Sequence, residues 1–306
     1  MKDNSKYFLG IFFVLISAVT FSAKAVFVKL AYLSPVDSIT LLTLRMLFAF
    51  PFFASVVFYN RKKLSSLDLK KKDWFIIFLM GVAGYYLASL FDFIGLQYVT
   101  AGMERLILFV YPTLVVLLSR IFLKNKIGKN EFLSLVLTYS GILFVFYTAD
   151  NKTNRDTLKG AAFIFACAFT YAVYFIGTEK LTPKLGSVLF ASLALSISSI
   201  AVFIHFFIVK STEDLNLPPR VYYLSIAMAI VSTVIPVFFA AEGIRLVGAG
   251  RAAIVGSIGP VSTIILGYFF LNEIISPSQG IGTLLVLAGV LIISVKKKTT
   301  WIFSLS

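Results

Sequence analysis

Ten stretches of this chain are apolar for long enough to cross the hydrocarbon of a bilayer, at about 8–30, 38–59, 74–96, 101–123, 131–148, 159–179, 186–209, 221–243, 250–271 and 278–295. A spanning helix takes roughly 17–25 residues. Lipid offers no partner for a backbone N–H or C=O, so each segment must satisfy its own hydrogen bonds, which selects helices. The expected fold class is therefore an all-α integral membrane protein of ten transmembrane helices. The first stretch mimics a cleaved leader, because Lys2 and Lys6 precede an apolar run that reaches Ala23-Lys24-Ala25. That run continues through Leu30 and is matched later in the chain, so it is read as the first span.

Composition agrees with lipid as the main solvent. Hydrophobic residues make up 59% of the chain and charged residues 14%, against about 45–50% and about 25% in a soluble domain. The formal charge of +14 would suit a nucleic-acid binder if the bases shared one solvated patch. They lie instead in short loops between apolar runs, where they set orientation. With the N-terminus in the cytoplasm, the inner segments hold 18 of the 28 bases and the outer segments 5. Both termini are then cytoplasmic, and the expected location is the cytoplasmic membrane, multi-pass. The single cysteine, Cys167, and single histidine, His205, leave no intramolecular disulfide, no cysteine metal cluster and no paired-histidine zinc site.

Internal repetition divides the chain. The stretch 95–127 aligns without a gap on 243–275, pairing Gly95 with Gly243, Ala101-Gly102 with Ala249-Gly250, Pro112 with Pro260 and Phe122-Leu123 with Phe270-Leu271, and Gly141 falls on Gly289 at the same offset. Five spans per half is an odd number, so the second copy must insert from the opposite side. The loops carry the mark of that inversion. The 124–129 loop has three bases and its counterpart near 272–278 has none, while the uncharged loop around Gln97 and Met103 corresponds to one with Arg245 and Arg251. The expected organisation is two inverted five-helix repeats, 8–148 and 159–296.

The first span of each half also carries a polar stripe. Ser17, Thr20 and Lys24 stand at i, i+3 and i+7, on one helical face, and Cys167, Thr170 and Tyr174 repeat that spacing in the sixth span. Such residues line a cavity, or they hydrogen-bond neighbouring helices at about 0.6 kcal/mol each. Lys24 favours the cavity.

The chain resembles the EamA-type permeases of the drug/metabolite transporter superfamily over about 8–296. The resemblance rests on the five-plus-five pattern, on Pro112 and Pro260 in the fourth helix of each half, and on the run LGYFFLNEIISPSQGIGTLLVLAGVLII (266–293) with Asn272-Glu273 at a helix end. The first half departs from the pattern, with Lys124-Asn125-Lys126 where many members carry a Glu, which puts a shared role for Glu273 in doubt. The resemblance implies a solute permease and leaves the substrate open.

Ionisable groups inside a span cost about 2.5–3.5 kcal/mol each on insertion scales, so Lys24, Arg45, Asp92, Glu104 and Arg105 each need a reason. A rise of about 1.5 Å per residue puts the last four at similar depth, and their charges sum to zero. They form either a salt-bridged clasp of the second, third and fourth spans or a substrate and proton-coupling site facing a cleft. In the second case Asp92 and Glu104 face the cleft, with Arg45 as their nearest compensating charge. Tyr85 and Tyr86, central in the third span, and Tyr111, at i+7 from Glu104, are further candidates beside a packing role. Pro112, Pro236 and Pro260 are expected to kink helices, and Gly248, Gly250, Gly256 and Gly259 to let them approach closely. Glu179, Glu242 and Arg245 read as boundary residues and His205 as interfacial.

The leading expectation is a secondary-active permease or exporter of a small polar or amphipathic metabolite. It would work by alternating access on a proton or solute gradient. Partners are then a small-molecule substrate and the lipid bilayer, with no nucleic acid; a homodimer is compatible with the sequence, but nothing argues for one. An enzyme is not expected, since no HExxH, GxxxxGK[ST] or mid-membrane Ser-His pair occurs. No catalytic residue, metal or cofactor is assigned. The alternative is a non-transporting scaffold or channel, and a channel would repeat its filter residues symmetrically.

Overall fold

The computed structural model describes residues 2–123, 128–148 and 155–296, and all regular elements among them are helical. The loop bases Lys124, Lys126, Lys152, Lys297 and Lys298, the side chain of Glu179 and the surroundings of Gly250 lie outside the described residues. The N-terminal part contains α1 (Lys2–Ala31), α2 (Ser38–Tyr59), the short exposed α3 (Arg61–Ser66), α4 (Lys71–Gly81), a π-helical segment Val82–Leu87, α5 (Ala88–Gly95), α6 (Ala101–Leu108), α7 (Tyr111–Leu123) and α8 (Lys129–Thr148). The C-terminal part contains α9 (Arg155–Leu185), α10 (Ser187–Val209), α11 (Pro219–Ala229), a second π-helical segment Ile230–Val234, α12 (Ile235–Val247), α13 (Ala249–Gly256), α14 (Gly259–Leu271) and α15 (Pro277–Lys296). Among the described residues eight stretches, against the ten expected, are long and apolar enough to cross a membrane, and Phe132–Val145 and Pro277–Ile292 are shorter apolar helices.

From α4 onward the elements recur at a constant offset of 148 residues. Lys71 opens α4 as Pro219 opens α11, Ala101 opens α6 as Ala249 opens α13, and Lys129 opens α8 as Pro277 opens α15. The irregularities recur too. Each π-helical segment falls at the same place in its span, and the breaks at Phe109-Val110 and Ser257-Ile258 stand just before Tyr111-Pro112 and Gly259-Pro260. Proline has no N–H to donate and is at home in the first turn of a helix. Pro112 and Pro260 therefore do more than kink a continuous helix: each sits in the first turn of a new one.

Packing is reciprocal. Helix α1 lies against α11 to α14, α9 lies against α4 to α7, α2 packs on α10, and α8 packs on α15. The α8–α15 contact is close because a Cβ at Gly141 would sit 2.8 Å from the Gly282 carbonyl, and one at Gly289 would meet Thr138 and the Ser134 carbonyl. By contrast, Gly248 and Gly256 have nothing within 4 Å. Gly248 instead closes α12 at φ 84°, a conformation that side chains resist. The largest buried cluster, including Leu41, Met46, Phe53, Phe93, Leu195 and Met228, joins α2 and α5 to α10 and α11. Phe12, Phe207, Phe269 and Leu284 are exposed on the outer faces, where lipid replaces water as the neighbour.

Candidate functional site

Two local features shape the centre of the bundle. The wide turn at Val82–Leu87 presents Gly84 and Tyr85, and the wide turn at Ile230–Val234 presents Ser232 and Thr233. Single-turn π segments recur at functional sites. Gly84 is needed for packing, because a Cβ there would fall 2.3 Å from Tyr174 Cγ. That approach brings the Tyr85 and Tyr174 hydroxyls to 3.1 Å.

Between these turns lies a cavity of about 70 Å³, lined among others by Lys24, Arg45, Tyr85, Ser89, Asp92 and Thr233. Phe21, Leu108, Cys167, Tyr171, Leu195 and Val237 supply its largely apolar remainder. This volume admits a few water molecules, or one small polar group.

Lys24 from α1 is the hub of the charges. Its Nζ is 2.7 Å from Asp92 Oδ2 of α5 and 3.3 Å from Glu104 Oε1 of α6, with all three side chains buried. The clasp therefore joins α1, α5 and α6, without α2. The sequence made Arg45 the nearest compensating charge of the two acids; in the structure that charge is Lys24. Among the described residues Arg45 makes no ion pair within 4 Å; it donates from Nη2 to Ser89 Oγ at 2.7 Å and lies 4.8 Å from the Phe93 ring centre. Depth along a span can be read from sequence, but rotation about the helix axis depends on which neighbours pack.

Arg105 points away from the cavity into the break between α13 and α14. Its Nη2 is 3.4 Å from Ser22 Oγ, which donates to the Gly259 carbonyl at 2.9 Å. A Cβ at 259 would come within 2.7 Å of that guanidinium. Its remaining faces lie near Phe21 and Phe109, a desolvated cation–π arrangement. Tyr111 stacks on Phe175 and meets Tyr171 edge-on. The Ser17 hydroxyl donates to the Pro236 carbonyl at 2.9 Å, accepting the role of a helix-to-helix tie. Thr20 and Thr170 donate to carbonyls within their own helices. Of the residues singled out, Lys24, Arg45, Tyr85 and Asp92 meet at the cavity wall, and Ser17, Thr20, Glu104, Arg105, Tyr111, Thr170 and Tyr174 do not.

The sequence profile of the EamA-like transporter family matches residues 8–147 and 158–295. The chain belongs to that family. It is 29% identical over 278 residues to the uncharacterized transporter YcbK of Bacillus subtilis, covering 89% of this chain and 88% of that protein. An uncharacterized transporter of Archaeoglobus fulgidus is 24% identical over 289 residues, 93% of this chain and 98% of that one. A chain of known crystal structure, 14% identical, superposes with a TM-score of 0.62 over 95% of this chain and 96% of its own length, which shows the fold alone. This EamA-family chain is a multi-pass membrane transporter.

Several contributors escaped the sequence reading of this EamA-family chain. Ser89 is one turn from Asp92 on the same face, and Ser232-Thr233 stand just ahead of Pro236 in an apolar run; hydroxyls near a helix-breaking proline were the available signal. Glu273 was placed at a helix end by the sequence, but its partner was not. Its carboxylate accepts from the Ala101 and Gly102 N–H groups at 2.8 and 3.2 Å, capping the half-helix that carries Glu104 and Arg105. An anion at a helix N-terminus satisfies orphan donors and complements the dipole. His205, half-buried, pairs through Nδ1 with the Tyr86 hydroxyl at 2.8 Å.

Proposed function

We propose that this chain is a secondary-active permease that moves a small polar or amphipathic metabolite across the cytoplasmic membrane by alternating access. The observation that carries the reading is the buried cavity, whose charged and hydroxylic walls come from both sequence parts at the two π-helical turns. Its volume is too small for a metabolite, so entry requires the bundle to open.

The recurrence of elements at an offset of 148 residues and the two family matches support two five-helix halves, 8–148 and 159–296. The swapped loop charges support their opposite insertion, with both termini cytoplasmic. In this scheme two bundles rock about the cavity, α1 moving with α11–α14 and α9 with α4–α7. Lys24, Arg45, Asp92 and Tyr85 meet the solute. Glu104 shares Lys24 with Asp92 and serves as the proton-coupling acid. Arg105 and Tyr111 brace the site, while Tyr174 positions Tyr85. Ser17, Thr20 and Thr170 line the cleft once it opens. At the end expected to face outward, Lys29 holds the Leu96 and Val99 carbonyls, Tyr32 the Phe93 carbonyl, and Glu273 the start of α6. Those ties must release for outward opening.

The test is flux in proteoliposomes across a pH series, with detergent-solubilised stability measured alongside. Glu104→Gln should leave the fold intact and abolish transport or make it independent of pH. A destabilised variant with unchanged pH dependence of its residual flux would remove the coupling role, and no flux of any solute under any gradient would remove the transport reading.

A further inference from the structure

We infer that the ligand of the central cavity is a small monocarboxylate whose carboxylate group is held by Arg45. The inference rests on the transport reading for the fate of this ligand, and on charge and geometry for its chemistry.

Among the described residues the buried charges do not balance. Lys24, Arg45 and Arg105 are three cations, Asp92 and Glu104 two carboxylates, and all five are at least nine-tenths buried. Lys24 pairs with one oxygen of each carboxylate, Asp92 Oδ2 and Glu104 Oε1, while Asp92 Oδ1 and Glu104 Oε2 have no hydrogen-bond partner among the described residues. Arg105 sits in the α13–α14 break among Phe21, Phe109 and Ser22, outside the cavity wall. Arg45 lines the cavity, is 5% exposed, and is satisfied only by the Ser89 hydroxyl, with no hydrogen-bond partner on Nε among the described residues. A buried cation with no ion pair within 4 Å is costly in low dielectric. An anion entering beside it would neutralise the excess of one positive charge.

The shape of the donor narrows the anion. Guanidinium presents a planar fork that matches a carboxylate through two parallel N–H···O bonds. Ser89 takes one of the two hydrogens of Nη2; the other is left to complete that fork with Nη1 or with Nε. The Ser232 and Thr233 hydroxyls line the same cavity, while Phe21, Tyr171, Leu195 and Val237 offer apolar surface to the body of the molecule. A dianion would overcompensate a single excess charge. A cation would add to it.

The test uses the purified full-length chain with benzoate, 3-methylbutanoate and pyruvate as probes, the corresponding neutral amides, 3-methylbutylamine and chloride. Binding is followed by thermal shift and calorimetry, and flux of the labelled probes in proteoliposomes. At least one carboxylate should raise the melting temperature and bind saturably, while its amide, the amine and chloride do not. Arg45→Gln should weaken that binding on the order of tenfold or more, and Arg45→Lys, which keeps the charge and loses the fork, should fall between. Without ligand, Arg45→Gln should lose less melting temperature than Lys24→Gln, because it strands no carboxylate within 4 Å. Absence of binding by every carboxylate, equal binding of amide, amine or chloride, unchanged binding in Arg45→Gln, or an apo destabilisation as large as that of Lys24→Gln overturns the inference. Carboxylate binding without flux would uphold it and count against transport. Flux of a neutral or cationic solute with no carboxylate bound would do the reverse.

Discussion

Lys24 stands between two carboxylates that no other side-chain cation among the described residues approaches within 4 Å. Removing it is therefore a different perturbation from neutralising one of its partners. Lys24→Met should leave Asp92 and Glu104 buried and facing each other, at a cost of about 3–5 kcal/mol. Glu104→Gln keeps the 2.7 Å pair of Lys24 with Asp92 and should cost distinctly less. Thermal melts of the two variants in one detergent compare them directly, and equal losses would mean that Lys24 is not the hub. Arg105 belongs to another environment, set by the absence of a side chain at Gly259. Two adjacent residues, Glu104 and Arg105, thus serve different neighbours of one short helix.

Helix ends outside the apolar spans are fixed by ordinary capping chemistry. Asp37 starts α2 by accepting from the Ile39 and Thr40 N–H groups at 3.0 and 3.2 Å, and it also meets the Lys210 ammonium at 3.1 Å. Partial burial alone would push the Asp37 carboxyl up, but the Thr40 hydroxyl and N–H, together with Lys210, hold it below its usual value. A carboxyl whose folded value lies below its unfolded one, about 3.9, stabilises the fold above that pH. Its contribution is lost as pH falls through the lower folded value. Asp37→Ala should therefore cost about 1 kcal/mol at neutral pH, and the difference from the parent protein should shrink once the pH drops below about 4. Melting curves between pH 7 and pH 3 check this, and a constant difference across the series would show that the cap works without its charge. The π-helical turns are elements of another kind. Each widens a span where the cavity lies, and Gly84 is the residue that makes the first one packable.

Across the whole molecule the reciprocal packing of α1 on α11–α14 and of α9 on α4–α7 interleaves the two sequence parts, so neither could rock without carrying a helix of the other's core. The inverted arrangement proposed for them fixes which loops face outward. In a Cys167→Ser background, single cysteines replacing Ser66 and Ser278 should be labelled differently by an impermeant thiol reagent added to intact cells. Ser66→Cys should react only after permeabilisation, and Ser278→Cys without it. Equal labelling at both positions in intact cells would overturn the opposite insertion of the halves.

Lipid as solvent leaves little choice of local structure: a backbone without water must be helical, and apolar length, loop charge and the Gly95–Gly243 and Pro112–Pro260 pairings could be read from single residues and their spacing. The depth of Asp92, Glu104 and Arg45 was legible for the same reason, because rise per residue is constant. Partnership was not. Lys24 rather than Arg45 joins the acids, Arg105 turns to Gly259, and Glu273 caps a helix some 170 positions away in the chain. Those outcomes depend on the rotation of each helix and on the wide turns at Val82–Leu87 and Ile230–Val234, which shift the facing of every residue beyond them. Rotation is decided by side-chain packing against helices distant in sequence, so only the tertiary structure could decide which charges meet and which cation is left facing the cavity.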